Sequence, residues 1–72
     1  MKSYWVYILL CSDNSYYTGM TGNIENRLAQ HREGTLKTAY TFTRRPVELV
    51  FAEAFADVNM AIEWEKKIKG WS

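Results

Sequence analysis

Two runs rich in aromatic and β-branched residues, Tyr4 to Cys11 and Tyr16 to Met20, are separated by Ser12-Asp13-Asn14-Ser15. Strand-forming runs divided by turn-forming residues read as a β-hairpin, and this constrains the fold more than any other feature. The length of the turn then decides which side chains share a face, because strand side chains alternate with period two. A two-residue Asp13-Asn14 turn would pair Tyr17 with Leu10 and put Tyr7 on the opposite face. A three-residue Asp13-Asn14-Ser15 loop would pair Tyr17 with Cys11, and the two tyrosines would share a face. Loops of that kind carry a left-handed residue, which Asn tolerates better than most, so Asn14 or a neighbour is expected in that conformation.

Thr21-Gly22-Asn23 ends the hairpin, and Asn23 is placed to cap a helix over Ile24 to Glu33, with Gly34 as its left-handed stop. Ile24 and Leu28 lie one turn apart on the buried stripe of this helix. A polar segment from Thr35 to Pro46 contains four threonines and leads to a third strand over Val47 to Phe55. Asp57 or Asn59 can cap a second helix that runs to about Lys69, where Gly70 follows. Ala61, Trp64, Ile68 and Trp71 form its core-facing stripe. The order ββαβα predicts an α/β (α+β) fold, a three-stranded mixed sheet flanked by helices, in one domain over residues 1–72.

Several positions invite a chemical reading beside an ordinary one. Most strand tyrosines simply pack with the hydroxyl at the surface, and Tyr4, Tyr16 and Tyr40 are read that way. Gly19 lies two residues after Tyr17 inside a strand, where glycine marks a bulge or close backbone approach and would leave room for a ligand. Arg27 sits beside the helical stripe, so its stem can cross apolar surface toward the sheet, and His31 is one turn further on the same side. Glu65 falls on the margin of the second stripe, where a carboxylate needs a partner. An ion pair with Lys69 at i+4 and a divalent cation both satisfy that need, whereas Glu63 points to solvent.

Taken in order, Trp5-Val6-Tyr7, Tyr17-Thr18-Gly19, Asn23-Ile24-Glu25-Asn26-Arg27-Leu28, His31, Thr43-Arg44-Arg45-Pro46-Val47 and Glu65-Lys66-Lys67-Ile68-Lys69-Gly70-Trp71 resemble the GIY-YIG nuclease superfamily, specifically its small bacterial branch. The resemblance covers essentially the whole chain. Trp5 stands where the family name has glycine and Thr18 where it has isoleucine, and neither replaces a proposed catalytic group. The resemblance implies Tyr7 as general base on the attacking water, with Tyr17 positioning that water or the phosphate. Arg27 would bind the scissile phosphate, and His31 would assist proton transfer or orient a phosphate. Glu65 would hold one Mg²⁺ or Mn²⁺. A free tyrosine has a pKa of roughly 10, so a tyrosine base needs a nearby cation. One carboxylate holds Mg²⁺ weakly until substrate phosphates complete the shell, so the free protein is expected to bind metal poorly. Related proteins usually continue past the position of Ser72 with a further basic segment and a supporting asparagine. The comparison therefore implies a domain shortened at its C-terminus.

Composition narrows the rest. With nine Lys or Arg against eight Asp or Glu, a net charge of +1 does not announce nucleic-acid binding. The distribution is more suggestive: Arg44 and Arg45 are adjacent in the loop, and Lys66, Lys67 and Lys69 crowd the second helix end, where lysines also complement the helix dipole. Gly19, Arg44, Arg45 and Lys69 are the expected nucleic-acid contacts. Cys11 alone allows no internal disulfide, and with His31 the sole histidine a structural zinc site is not expected. The apolar run at the N-terminus is too short for a membrane span and lacks a signal-peptide cleavage site, which points to a soluble cytoplasmic protein; the sequence makes no obligate protein partner evident. The expected activity is metal-dependent hydrolysis of DNA phosphodiester bonds with little sequence preference. Two rivals stand beside it: a non-catalytic nucleic-acid-binding protein of the same fold, and an interaction module using exposed aromatics.

Overall fold

The computed structural model describes residues 3–70. It contains strands β1 (Tyr4–Leu10) and β2 (Tyr16–Thr21), helix α1 (Ile24–Glu33), a 3₁₀ turn (Phe42–Arg44), strand β3 (Glu48–Phe55) and helix α2 (Val58–Lys69). The expected assignments to Met1, Lys2 and Trp71 lie outside the described residues.

The hairpin turns on Asn14, which adopts φ 66°. Cys11 N–H donates to the Ser15 carbonyl at 2.8 Å, Asn14 N–H to the Cys11 carbonyl at 3.0 Å, and Ser15 N–H to Asp13 Oδ1 at 3.0 Å. The resulting register pairs Leu10 with Tyr16, Leu9 with Tyr17 and Tyr7 with Gly19. Tyr17 therefore opposes Leu9 rather than Cys11. A three-residue hairpin carries its left-handed residue last, so Asn14 sets the loop at Ser12-Asp13-Asn14, one position earlier than expected. That moves the pairing by two residues, and an even shift keeps Tyr7 and Tyr17 on one face.

The sheet order is β2-β1-β3, and both outer strands run antiparallel to β1. The expected mixed sheet is thus corrected to a fully antiparallel one. The reason is where the chain re-enters. After β2, helix α1 and the loop return it to the hairpin end, where Ser12 N–H and Oγ–H donate to the Arg44 carbonyl at 2.9 and 3.0 Å. Strand β3 then starts beside the end of β1 and can only descend against it, with Leu10 opposite Glu48 and Tyr4 opposite Phe55.

Because β1 is central, both its faces are covered. Tyr7, Leu9 and Cys11 pack with Val47, Ile24 and Leu28 beneath α1, while Val6 packs with Ala61 and Ile68 beneath α2. This explains why β1 is apolar at nearly every position rather than at alternate ones. Val6 and Leu9 are fully buried, each contributing about 1.5–3 kcal/mol relative to exposure. On α2, Ala61 and Ile68 face the core as expected, but Trp64 stays 39% exposed and stacks on Phe55 at 6.3 Å. Asn23 caps α1 by accepting from Asn26 N–H at 3.0 Å, and Gly34 closes it at φ 73°. Asp57, not Asn59, caps α2, accepting from Asn59 N–H at 2.8 Å.

Candidate active site

Tyr7 stands in the central strand with its ring laid over Gly19, its cross-strand partner. A β-carbon at Gly19 would come within 2.5 Å of Tyr7 Oη, so only glycine admits the ring. The space left by the missing side chain is thus filled by Tyr7 itself and not left open for a ligand. Gly19 is buried.

Helix α1 brings His31 down onto this ring. The imidazole is 2% exposed, with Nε2 3.0 Å from Tyr7 Oη and Nδ1 2.7 Å from Thr41 Oγ1. Tyr17 completes the cluster, its ring centroid 6.3 Å from Tyr7 and 5.3 Å from His31. Its other side stacks on Tyr40 at 6.1 Å, and the Arg44 guanidinium lies 3.8 Å over the Tyr40 ring. The result is an aromatic ladder from buried Tyr7 to a surface arginine.

Charge enters from both helices. Arg27 is half-buried on α1, one turn before His31, and its positive charge acts on both Tyr7 and His31. Glu65, on α2, is 22% exposed and forms an ion pair with Lys69 at 3.4 Å; its negative charge acts on Tyr7. Burial above all, then Tyr17, push the Tyr7 phenol above its ordinary range, Glu65 adds to this, and Arg27 opposes it. Burial first and Arg27 second hold His31 below its ordinary value, so at neutral pH the imidazole is uncharged. A neutral imidazole has one N–H donor and one acceptor nitrogen, which suits it to steer a proton on the phenol.

The expected residues therefore divide into two groups. Tyr7, Tyr17 and His31 are in contact, with Arg27 and Glu65 acting on the same phenol. The expected phosphate contacts are placed differently. Arg44 donates from Nε to Asp13 at 3.1 Å and from Nη1 to the Tyr40 carbonyl at 2.9 Å. Arg45 donates to the Phe42 carbonyl at 2.9 Å, with its guanidinium against Gly34. Lys69 pairs with Glu65. Thr41 and Tyr40 are the neighbours that the sequence did not single out. Thr41 is one of four threonines in a polar loop, and Tyr40 looked like any surface tyrosine; neither carries a local signal.

Glu65 is also the described carboxylate to test against a divalent ion. It is a hard oxygen donor, half-buried, acting on Tyr7, and its described ionic partner is one lysine. Among the described residues no three His, Cys, Asp or Glu side chains cluster as a metal-binding group. Such a residue fits an ion that takes its remaining ligands from water and phosphate. No helix among the described residues is long and apolar enough to cross a membrane.

Known proteins share this sequence pattern and fold. The model of the GIY-YIG catalytic domain matches residues 3–72. UPF0213 protein SH2523 of Staphylococcus haemolyticus is 47% identical over 72 residues, spanning 100% of this chain and 87% of that protein. A UPF0213 protein of Syntrophus aciditrophicus is 44% identical over 72 residues, covering 100% of this chain and 83% of its own length. Among solved structures, protein EF2693 of E. faecalis superposes with a TM-score of 0.68 at 37% identity, covering 100% of this chain and 76% of that one. UPF0213 protein BH0048 of Bacillus halodurans gives 0.62 at 38% identity, covering 97% and 73%. With the domain model spanning nearly its full length and these relatives matching it end to end, the chain belongs to the GIY-YIG catalytic domain family.

Proposed function

We propose that this protein hydrolyses nucleic-acid phosphodiester bonds, with DNA as the favoured substrate, little sequence preference and a requirement for Mg²⁺ or Mn²⁺. The observation that carries this reading is the 3.0 Å hydrogen bond between Tyr7 Oη and His31 Nε2, on a phenol that the charges of Arg27 and Glu65 both reach. In this mechanism Tyr7 first loses its own hydroxyl proton to solvent, and the resulting phenolate takes a proton at Oη from the attacking water, while His31 holds that oxygen in place. Tyr17 positions the water or the phosphate against Tyr7. Arg27 offers a planar donor fork to the scissile phosphate and to the charge that develops on it. Glu65 would hold the divalent ion together with substrate oxygens. When bound, the ion neutralises phosphate charge and stabilises the leaving oxygen. The raised Tyr7 phenol is compatible with this, because added positive charge from the ion and Arg27 favours the phenolate only once substrate is in place.

The same raised phenol, with Glu65 already paired to Lys69, also supports a second reading: a nucleic-acid-binding protein that keeps the fold without turnover. Cleavage of labelled single- and double-stranded DNA in Mg²⁺ or Mn²⁺ separates the two. On the nuclease reading Glu65→Ala abolishes cleavage while DNA binding persists. Tyr7→Phe is expected to lower the rate by about 10²–10⁴-fold, the usual worth of a general base. A folded wild-type protein that binds DNA and never cuts it selects the second reading.

A further inference from the structure

Helix α2 covers only part of its face of the sheet. Ile8 packs at the margin of the cluster that Val6, Ala61 and Ile68 form beneath the helix. At the last turn of α2 the same face opens into a cleft of about 690 Å³, with Ile68 and Lys69 in its wall. Its floor is one row across the sheet, Thr18 on β2, Ile8 on β1 and Phe51 on β3, paired in register. Tyr16 stands in the next row opposite Leu10 and shares this face, because strand side chains alternate. Of the described large hydrophobic side chains that are exposed, Tyr16, Tyr40, Val50 and Phe51 all border this cleft. Exposed apolar surface gathered in one place marks an interaction site.

Four of the lining side chains are aromatic rings. Tyr17 and Tyr40 stack on each other, and the Arg44 guanidinium covers the Tyr40 ring. Tyr16, 64% exposed, and Phe51, 37% exposed, stack on no ring among the described residues. Both are open to a planar partner. Among the described lining residues the charged one is Lys69, and Glu48 and Glu53, which flank Phe51 along β3, lie outside the lining. Stacking surface beside a cation fits nucleobases joined by phosphates. The cleft also adjoins the candidate active site. Tyr17 belongs both to its lining and to the cluster with Tyr7 and His31, and Lys69 is paired with Glu65 at 3.4 Å. In a duplex each base is covered by its neighbours, so a protein ring can stack only on a base that has left the helix.

We propose that this cleft is a base-stacking subsite, in which Tyr16 and Phe51 hold unpaired bases of single-stranded DNA next to the catalytic cluster. The assignment rests on the nucleic-acid substrate proposed above and adds its form, a single strand and not a duplex.

Fluorescence anisotropy on the whole protein in EDTA, where metal-dependent cleavage is silent, tests it with labelled probes of equal length. These are oligothymidylate, the same backbone with abasic sites in place of bases, and a duplex. Oligothymidylate should bind most tightly. Tyr16→Ala and Phe51→Ala should each weaken its binding about 5- to 150-fold, the usual worth of one base–aromatic stack, and leave abasic binding nearly unchanged. Tyr16→Phe and Phe51→Tyr keep a ring and should retain affinity, whereas Phe51→Leu keeps only apolar bulk and should lose it. Tyr16 lies at the surface, so its variants decide the matter if a substitution at Phe51 unfolds the protein. Equal affinity for abasic and base-bearing strands, duplex bound as tightly as single-stranded DNA, or full binding by Phe51→Leu overturns the proposal. A concentration-dependent dimer that Phe51→Ala dissociates also overturns it, because a second copy then covers the cleft. Cleavage assays in Mg²⁺ keep this proposal apart from the nuclease reading. A wild type that binds bases as expected and never cuts overturns the nuclease reading and leaves the subsite standing. A wild type that cuts single- and double-stranded DNA alike, with Tyr16→Ala indistinguishable from it, overturns the subsite and leaves the nuclease reading standing.

Discussion

At the scale of single residues, the proposed site depends on a hydrogen taking the place of a side chain. Gly19 is opposite Tyr7, and its missing β-carbon is what lets the phenol reach His31. Gly19→Ala is expected to destabilise the fold by about 1–3 kcal/mol, the usual range for an overpacked core, because strand backbone and a buried ring must both shift. Urea unfolding measures this. The same substitution should disturb the NMR signals of His31, and an unperturbed, fully stable Gly19→Ala protein would show that the ring is not held against the strand. The sequence flagged Gly19 correctly as a point of close approach, but what approaches is the protein's own tyrosine.

At the scale of elements, the hairpin governs which residues can meet. Asn14 at φ 66° sets a loop whose length keeps Tyr7 and Tyr17 on one face. Asn14→Ala is expected to weaken the protein by about 1 kcal/mol, since a left-handed conformation costs an ordinary residue roughly 1–2 kcal/mol, while Asn14→Gly should preserve or slightly raise stability. Thermal melts of the two variants check the sign, and alanine matching glycine would contradict the left-handed assignment. Helix α1 contributes differently: its 3.6-residue repeat sets Arg27 and His31 one turn apart, so the cation and the imidazole reach the phenol from one element.

At the scale of the whole molecule, burying His31 links stability to pH. Its folded pKa lies below the ordinary value near 6.5. As pH falls through about 6.5, the unfolded chain takes up a proton that the folded protein resists. Stability therefore declines on that side, by at most about 1.4 kcal/mol per pH unit for one proton, and levels off once the folded imidazole is protonated too. Asp13, lowered chiefly by its hydrogen bonds to Ser15, acts in a separate range below about pH 4. Tyr7 works the opposite way: its phenol is raised, so its contribution is intact below about pH 10 and is lost as pH rises above that. Denaturant midpoints between pH 7 and 5 should fall for wild type and stay flatter for His31→Asn; parallel slopes would mean that His31 is not the group responsible. The sheet also leaves an open apolar cleft of about 690 Å³ near the hairpin end, bounded by Ile8, Tyr16, Thr18, Val50, Phe51 and Ile68.

Much of this was legible locally. Both helices with their caps, the hairpin and the left-handed Asn14 are written in short-range pattern, because periodicity, capping and turn chemistry act over a few residues; the set Tyr7, Tyr17, Arg27, His31 and Glu65 came from the resemblance to a family, not from local pattern. Three matters were not. The antiparallel run of β3 depends on where a loop of some dozen residues delivers the chain, which no local preference specifies. The engagement of Arg44 with Asp13 and Tyr40 depends on which partners the folded chain brings within reach, whereas the pair of Glu65 with Lys69, one helical turn apart, was among the expected alternatives. Thr41 meets His31 ten residues away in sequence, through a loop whose four threonines look alike until one of them is buried. The sequence by itself determined the elements and the chemical groups they carry; only the tertiary structure decided their pairing, because a hydrogen bond between distant residues is set by the path of the chain between them.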